Sequence, residues 1–130
     1  MRIYVAGALA DLERVREVQD AVVAAGHEVV LDWTRASDAD LRDYGSQAVA
    51  AEQVARADLE AVLGADAVLV VDTDQPGRGM YVELGAALAR AARGESVQIA
   101  VLGPEADRSV FYFHPAVRRY DSVEEWLASS

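Results

Sequence analysis

Ala67-Val68-Leu69-Val70-Val71 is an unbroken apolar run, closed by Asp72 and followed by Thr73-Asp74-Gln75-Pro76-Gly77-Arg78. Beyond that turn-rich stretch comes Gly79-Met80-Tyr81-Val82-Glu83-Leu84-Gly85-Ala86-Ala87-Leu88. A short apolar run bounded by turn formers reads as a strand buried on both faces. The small and apolar residues after the loop read as a helix. The stretch is therefore one strand–loop–helix unit, and the rest of the chain is legible as more of the same.

Working outward, residues 3–7 read as a first strand. Residues 11–25 read as a helix, with Leu12, Val15, Val18 and Val22 on one face and Gly26 closing it. A second strand is expected at 27–31, then a polar loop over 32–45 in which Trp33 is the odd large apolar residue. A helix follows at 46–63. After the unit quoted above, strands are expected at 97–102 and 117–120. Ser122 with Glu125 three residues on predicts a capped terminal helix. Strands that alternate with helices and stay apolar throughout indicate a parallel sheet covered on both faces. The expected fold is a single α/β domain over residues 1–130, a flavodoxin-like doubly wound sheet of about five strands in the order 2-1-3-4-5. Ligands of such sheets bind outside the carboxyl ends of strands 1 and 3, where 6–10 and 72–83 arrive.

Composition narrows the function classes. Net charge is −10, from 22 acids and 12 bases, which repels a nucleic-acid backbone. No apolar run approaches the roughly 20 residues of a membrane helix. A strand expected from residue 3 leaves no room for a signal peptide. Cysteine is absent and only His27 and His114 are present, so neither a thiolate nor a histidine-rich metal site is expected. The cytoplasm is the expected compartment.

Three residues stand out against this background. Glu83 is the only acid from Met80 to Arg93, and no cation lies three or four positions on. Two readings fit it: an acid complementing a helix dipole, or a group the site uses. Its place at the switch point favours the second. Asp58 lies four residues from both Val54 and Val62, on or beside an apolar stripe; it is either an edge acid paired with a base such as Arg56 or a working carboxyl. Tyr4, on the first strand, is either core packing or a hydroxyl seeking a carboxylate near the strand ends. Two carboxyls and a tyrosine converging on a crevice match glycosidic chemistry: one carboxylate attacks the anomeric carbon and the other carboxyl serves the leaving group. Asp72 ends an apolar strand, where acids bind ribose hydroxyls or a metal, and Asp74 fits a turn. Gly77-Arg78-Gly79 at a helix mouth suits an anion, but neither GxGxxG nor GK[ST] spacing is present, which disfavours a dinucleotide site or a P-loop.

These residues, in this order, resemble the nucleoside 2-deoxyribosyltransferase superfamily, which includes the 2′-deoxynucleoside 5′-phosphate N-hydrolases. The resemblance is carried by Ile3-Tyr4-Val5-Ala6-Gly7, Arg56-Ala57-Asp58-Leu59, Ala65-Asp66-Ala67-Val68-Leu69-Val70 and Gly79-Met80-Tyr81-Val82-Glu83-Leu84-Gly85. It implies Glu83 as the nucleophile at C1′, Asp58 as the group assisting the departing base and Tyr4 as the holder of the nucleophile. It also implies a small-molecule nucleoside or nucleotide substrate, no cofactor, and a homodimer or larger homo-oligomer. Gly7, Asp72, Gly77, Arg78, Gly79, Met80 and Trp33 are the expected substrate contacts, with Trp33 and Tyr44 placed either to stack on a base or to pack. This chain departs from the pattern at Gly77, where nucleotide hydrolases of the group carry a serine for the 5′-phosphate. It departs again at Phe111-Tyr112-Phe113, in place of a second serine or an asparagine. That aromatic run is either a contact surface or a buried edge of the core. Beside N-glycosidic cleavage stand two alternatives: a nucleotide-binding module that keeps only the scaffold, and an enzyme acting on another N-glycoside such as NAD.

Overall fold

The computed structural model describes residues 1–35 and 41–130. Residues 36–40, inside the loop expected over 32–45, lie outside the described residues. The elements in chain order are β1 (Arg2–Ala6), α1 (Leu12–Ala24), β2 (Glu28–Val29), α2 (Ala48–Gly64), β3 (Ala67–Val71), α3 (Arg78–Ala92), β4 (Gln98–Leu102), β5 (Val117–Tyr120) and α4 (Val123–Ser129). All strand pairs are parallel and the order is β2-β1-β3-β4-β5. This is the doubly wound α/β arrangement expected from the alternation of apolar runs and helices.

β3 is the middle of the sheet because every one of its residues can be buried, and every one is. The two-residue period then sorts the side chains into two cores. Ile3, Val5, Ala67 and Leu69 pack with α1 and α4 through Val15, Val22 and Trp126. Tyr4, Ala6, Val68 and Val70 face the other way, towards Val62 of α2 and Met80, Leu84 and Ala87 of α3. Tyr4 is therefore aimed at the layer that carries Glu83.

β2 is shorter than the sequence suggests. The ladder to β1 ends soon after Ile3↔Val29, with Val30 N–H donating to the Ile3 carbonyl at 2.9 Å. The next acceptor on that edge, the Val5 carbonyl, takes the Trp33 indole N–H at 2.6 Å instead. A side chain thus replaces the strand and turns the backbone away from the sheet. Gly26 ends α1 as expected, at φ 95°, with Gly26 N–H to Val23 O and His27 N–H to Val22 O completing a Schellman cap. Ser122 caps α4 by accepting from Glu125 N–H.

α2 and α3 are locked at one end by Arg90. Its Nη1 donates to the carbonyls of Val62 and Ala65, each at 2.8 Å, and its Nε pairs with Glu95 at 3.0 Å. The side chain is only 12% exposed, so these charge-assisted bonds are largely sheltered from water. Arg90→Ala is expected to cost about 2 kcal/mol, read as an earlier urea midpoint at unchanged slope. A midpoint within error of the parent would show that water replaces the guanidinium without loss.

Candidate active site

Tyr4 is fully buried on β1, and its hydroxyl donates to Glu83 Oε2 at 2.6 Å. Glu83 lies on the edge of the buried stripe Met80–Leu84–Ala87 of α3, one helical turn beyond the loop that leaves β3. That position turns its carboxyl towards the carboxyl ends of β1 and β3. Burial raises the Glu83 pKa; the Tyr4 hydrogen bond pulls it back, the negative field of Asp58 raises it further, and the result is about 8. Asp58 arrives from α2. The stripe inferred from the sequence is real, running from Val54 and Asp58 at the cleft to Val62 in the core. Arg56 pairs with Glu52 at 3.3 Å and so serves a different acid on the same helix.

Glu83 and Asp58 open on one cleft of about 420 Å³, a size suited to a small molecule. Gly7, Trp33, Gly77, Arg78, Gly79 and Met80 line it too, so six of the seven expected contacts meet the two carboxyls there. Tyr44 stands at the rim, and Trp33 is held in place by its bond to Val5 O. Ala8 and Leu9 from the segment 6–10, Pro76 from the segment 72–83 and Val54 from α2 complete the lining. The spacing of Val54 from Asp58 was the available signal for the first turn of α2. Nothing local marks Leu9 or Pro76 as more than loop residues.

Two glycines of the wall have different reasons for being glycine. A Cβ on Gly7 would collide with Val15 of α1, so close strand–helix packing requires it. A Cβ on Gly77 would meet Met80 Cε at 3.3 Å, so the Met80 thioether fills the space that a side chain at 77 would use. Gly79 faces open space.

Asp72, the seventh expected contact, is placed elsewhere. Its side chain is 3% exposed, it bonds Arg108 at 3.1 Å, and it does not line the cleft. Within the aromatic run 111–113, only the middle residue is part of the core. Tyr112 is buried and stacks on Tyr81, while Phe111 and Phe113 stand more than half exposed. Among the described residues no three His, Asp or Glu side chains converge as metal ligands, and no helix is long and apolar enough to cross a membrane.

The ordered set of Tyr4, Asp58 and Glu83 thus meets around one cleft, and residues 3–103 match the family model described as nucleoside 2-deoxyribosyltransferase. The chain belongs to that family. The nucleoside 2-deoxyribosyltransferase match covers the first four strands apart from Arg2 and all thirteen cleft-lining residues. Among solved structures, this family member is similar to the CMP N-glycosidase BcmB of Clostridium botulinum, with a TM-score of 0.63 at 16% identity. That likeness covers 99% of this chain and 97% of the other, and at such identity it speaks for the fold. No curated protein matches the sequence. Family and fold together support an enzyme that acts on the N-glycosidic bond of a small nucleoside or nucleotide.

Proposed function

We propose that this protein cleaves the N-glycosidic bond of a nucleoside or its 5′-monophosphate through a covalent intermediate on Glu83. The observation that carries the reading is the Tyr4–Glu83 hydrogen bond at 2.6 Å on the floor of a cleft that Asp58 also lines. Tyr4 holds Oε2, leaving Oε1 to approach C1′. As the C1′–O bond to Glu83 forms, the C1′–N bond breaks and its electron pair leaves with the base. Asp58 stabilises that base by hydrogen bonding or by giving it a proton. Water or a second base then attacks C1′ as the C1′–O bond to Glu83 breaks and its carboxylate is restored, giving hydrolysis or transfer; the carboxylate of Asp58 takes the proton from the water. Trp33 and Tyr44 offer aromatic faces for the base.

The structural neighbour's named substrate is a nucleotide, CMP. Arg78 is the one cation lining the cleft among the described residues. Monophosphates therefore head the list of substrates to try. The test is a panel of ribo- and deoxyribonucleosides, their 5′-monophosphates and NAD, followed for free base with and without an acceptor base. Base release from none of them would retire the proposal.

Asp58 has its own test. Asp58→Asn keeps the shape and a hydrogen-bond donor but cannot transfer a proton. Its rate loss is expected to reach about a hundredfold or more on bases that leave poorly and to shrink on bases that leave readily. The same loss on both would remove Asp58 from the leaving-group step.

A further inference from the structure

Asp72 is a buried acid that the proposed chemistry does not use, and its surroundings show what occupies it. Oδ2 takes a hydrogen bond from Arg108 Nε at 3.1 Å. Its backbone N–H donates to Leu102 O at 2.8 Å, and its carbonyl accepts from Arg14 Nη1 at 3.0 Å. Gly103 covers it so closely that a Cβ there would sit 2.9 Å from Asp72 Cβ. Oδ1 is sealed from solvent without a hydrogen bond among the described residues, and the Tyr112 hydroxyl pKa is raised mainly by burial, with smaller contributions from Tyr81 and from the Asp72 charge. Tyr112 in turn stacks on Tyr81 at a ring separation of 6.2 Å, with the two hydroxyls 3.5 Å apart.

Tyr81 stands in the first turn of α3, and Asp72 immediately follows β3. Between them runs the loop 73–77, and its Pro76 and Gly77, with Arg78 and Gly79 at the start of α3, form one wall of the cleft. Among the described residues, the side-chain hydrogen bonds of that loop stay within it, from Gln75 N–H to Thr73 Oγ1 and from Gln75 Nε2 to Asp74 Oδ1. Thr73 and Gly77 are buried within it, Arg108 bonds Asp72 at one end, and Tyr112 stacks on Tyr81 beyond the other.

We propose that Asp72 is a positioning residue: bonded to Arg108 and covered by Gly103, it fixes the 73–77 loop as a wall of the Glu83 cleft. A carboxylate sealed under Gly103 cannot reach a substrate in that cleft, so its influence passes through the loop. The effect on catalysis rests on the proposed function; the effect on the loop does not.

Asp72→Asn and the more exposed Arg108→Gln test this together. Amide exchange over residues 73–80 should quicken about tenfold or more in both variants while β1, β3 and β4 keep their protection. With a substrate in hand, KM should rise about tenfold, the loss falling on KM more than on kcat, and the double variant should be little worse than either single one. The preference between ribose and deoxyribose substrates should stay put. Unchanged exchange in Arg108→Gln would overturn the proposal, and so would a sugar preference altered by Asp72→Asn, which would mark direct contact. The exchange measurement needs no turnover. A protein that releases no base would end the proposed function and leave the positioning role to be decided by exchange alone.

Discussion

Glu83→Ala is expected to abolish base release, with a loss of about four orders of magnitude or more, while the fold survives. The size follows from the role. A residue that forms the covalent bond cannot be replaced by positioning or by the leaving-group carboxyl, and removing such nucleophiles costs enzymes about that much. The fold survives because Glu83 contributes one hydrogen bond, to Tyr4, at the edge of a stripe that Met80, Leu84 and Ala87 still bury. The check is single-turnover base release beside a far-ultraviolet spectrum and an unfolding midpoint. A folded Glu83→Ala protein with parental activity would end the nucleophile assignment.

The second large effect is a dependence on pH. The free site holds Glu83 protonated up to about 8, chiefly because burial disfavours its charge. A nucleophilic carboxylate must be ionised, so kcat/KM should climb about tenfold per pH unit below that value and level off above it. The same shift has a consequence for stability. Glu83 ionises near the ordinary glutamate value of 4.5 in the unfolded chain but only near 8 in the folded one. Between those values the folded state binds more protons, so this group's contribution is full below 4.5 and is lost as pH rises through 8. Glu83→Gln cannot ionise and escapes the loss. It should therefore gain stability over the parent as pH rises, by on the order of a few kcal/mol at pH 8, and should match it near pH 4. Equal unfolding midpoints for the two proteins at both pH values would mean that Glu83 ionises at an ordinary pH. An inactive variant more stable than its parent is what a site built around a desolvated carboxyl implies.

Much of this was legible before any coordinates. β3 could be read from five apolar residues because a central parallel strand needs burial on both faces, and that demand leaves a mark on every position. Tyr4, Asp58 and Glu83 could be picked out because each is a polar group in a segment whose spacing buries it. The switch-point rule then brought their elements to one crevice. β2 was over-read for a reason that no local pattern reveals: an indole from Trp33 takes the acceptor that the strand would have used. Asp72 was open to the opposite misreading. An acid after a buried strand at the switch point looks free for a ligand, but its partner Arg108 lies 36 residues away and its neighbour Tyr112 sits in a run marked only as aromatic. Contacts that cross the chain at that distance become visible once the sheet has been assembled.

The departures from the family pattern also take on a physical meaning. Gly77 is not simply a missing side chain, because Met80 occupies the adjoining space. Phe111 and Phe113 are exposed around a buried Tyr112, and Arg119 lies 4.1 Å from the Phe113 ring. Tyr4, Asp58 and Glu83 thus meet at a cleft whose wall is lined by Arg78 and Met80 beside Gly77.

The most direct test of the account is to weigh the protein during turnover. Wild-type protein mixed with a substrate that the panel identifies is quenched in acid within the first turnovers, and the intact mass and its peptides are measured. A fraction of the chain should be heavier by one pentosyl group, carrying phosphate if the substrate does, attached through an ester to the peptide that contains Glu83. Base release with no adduct at any quench time, or an adduct on Asp58, would contradict it.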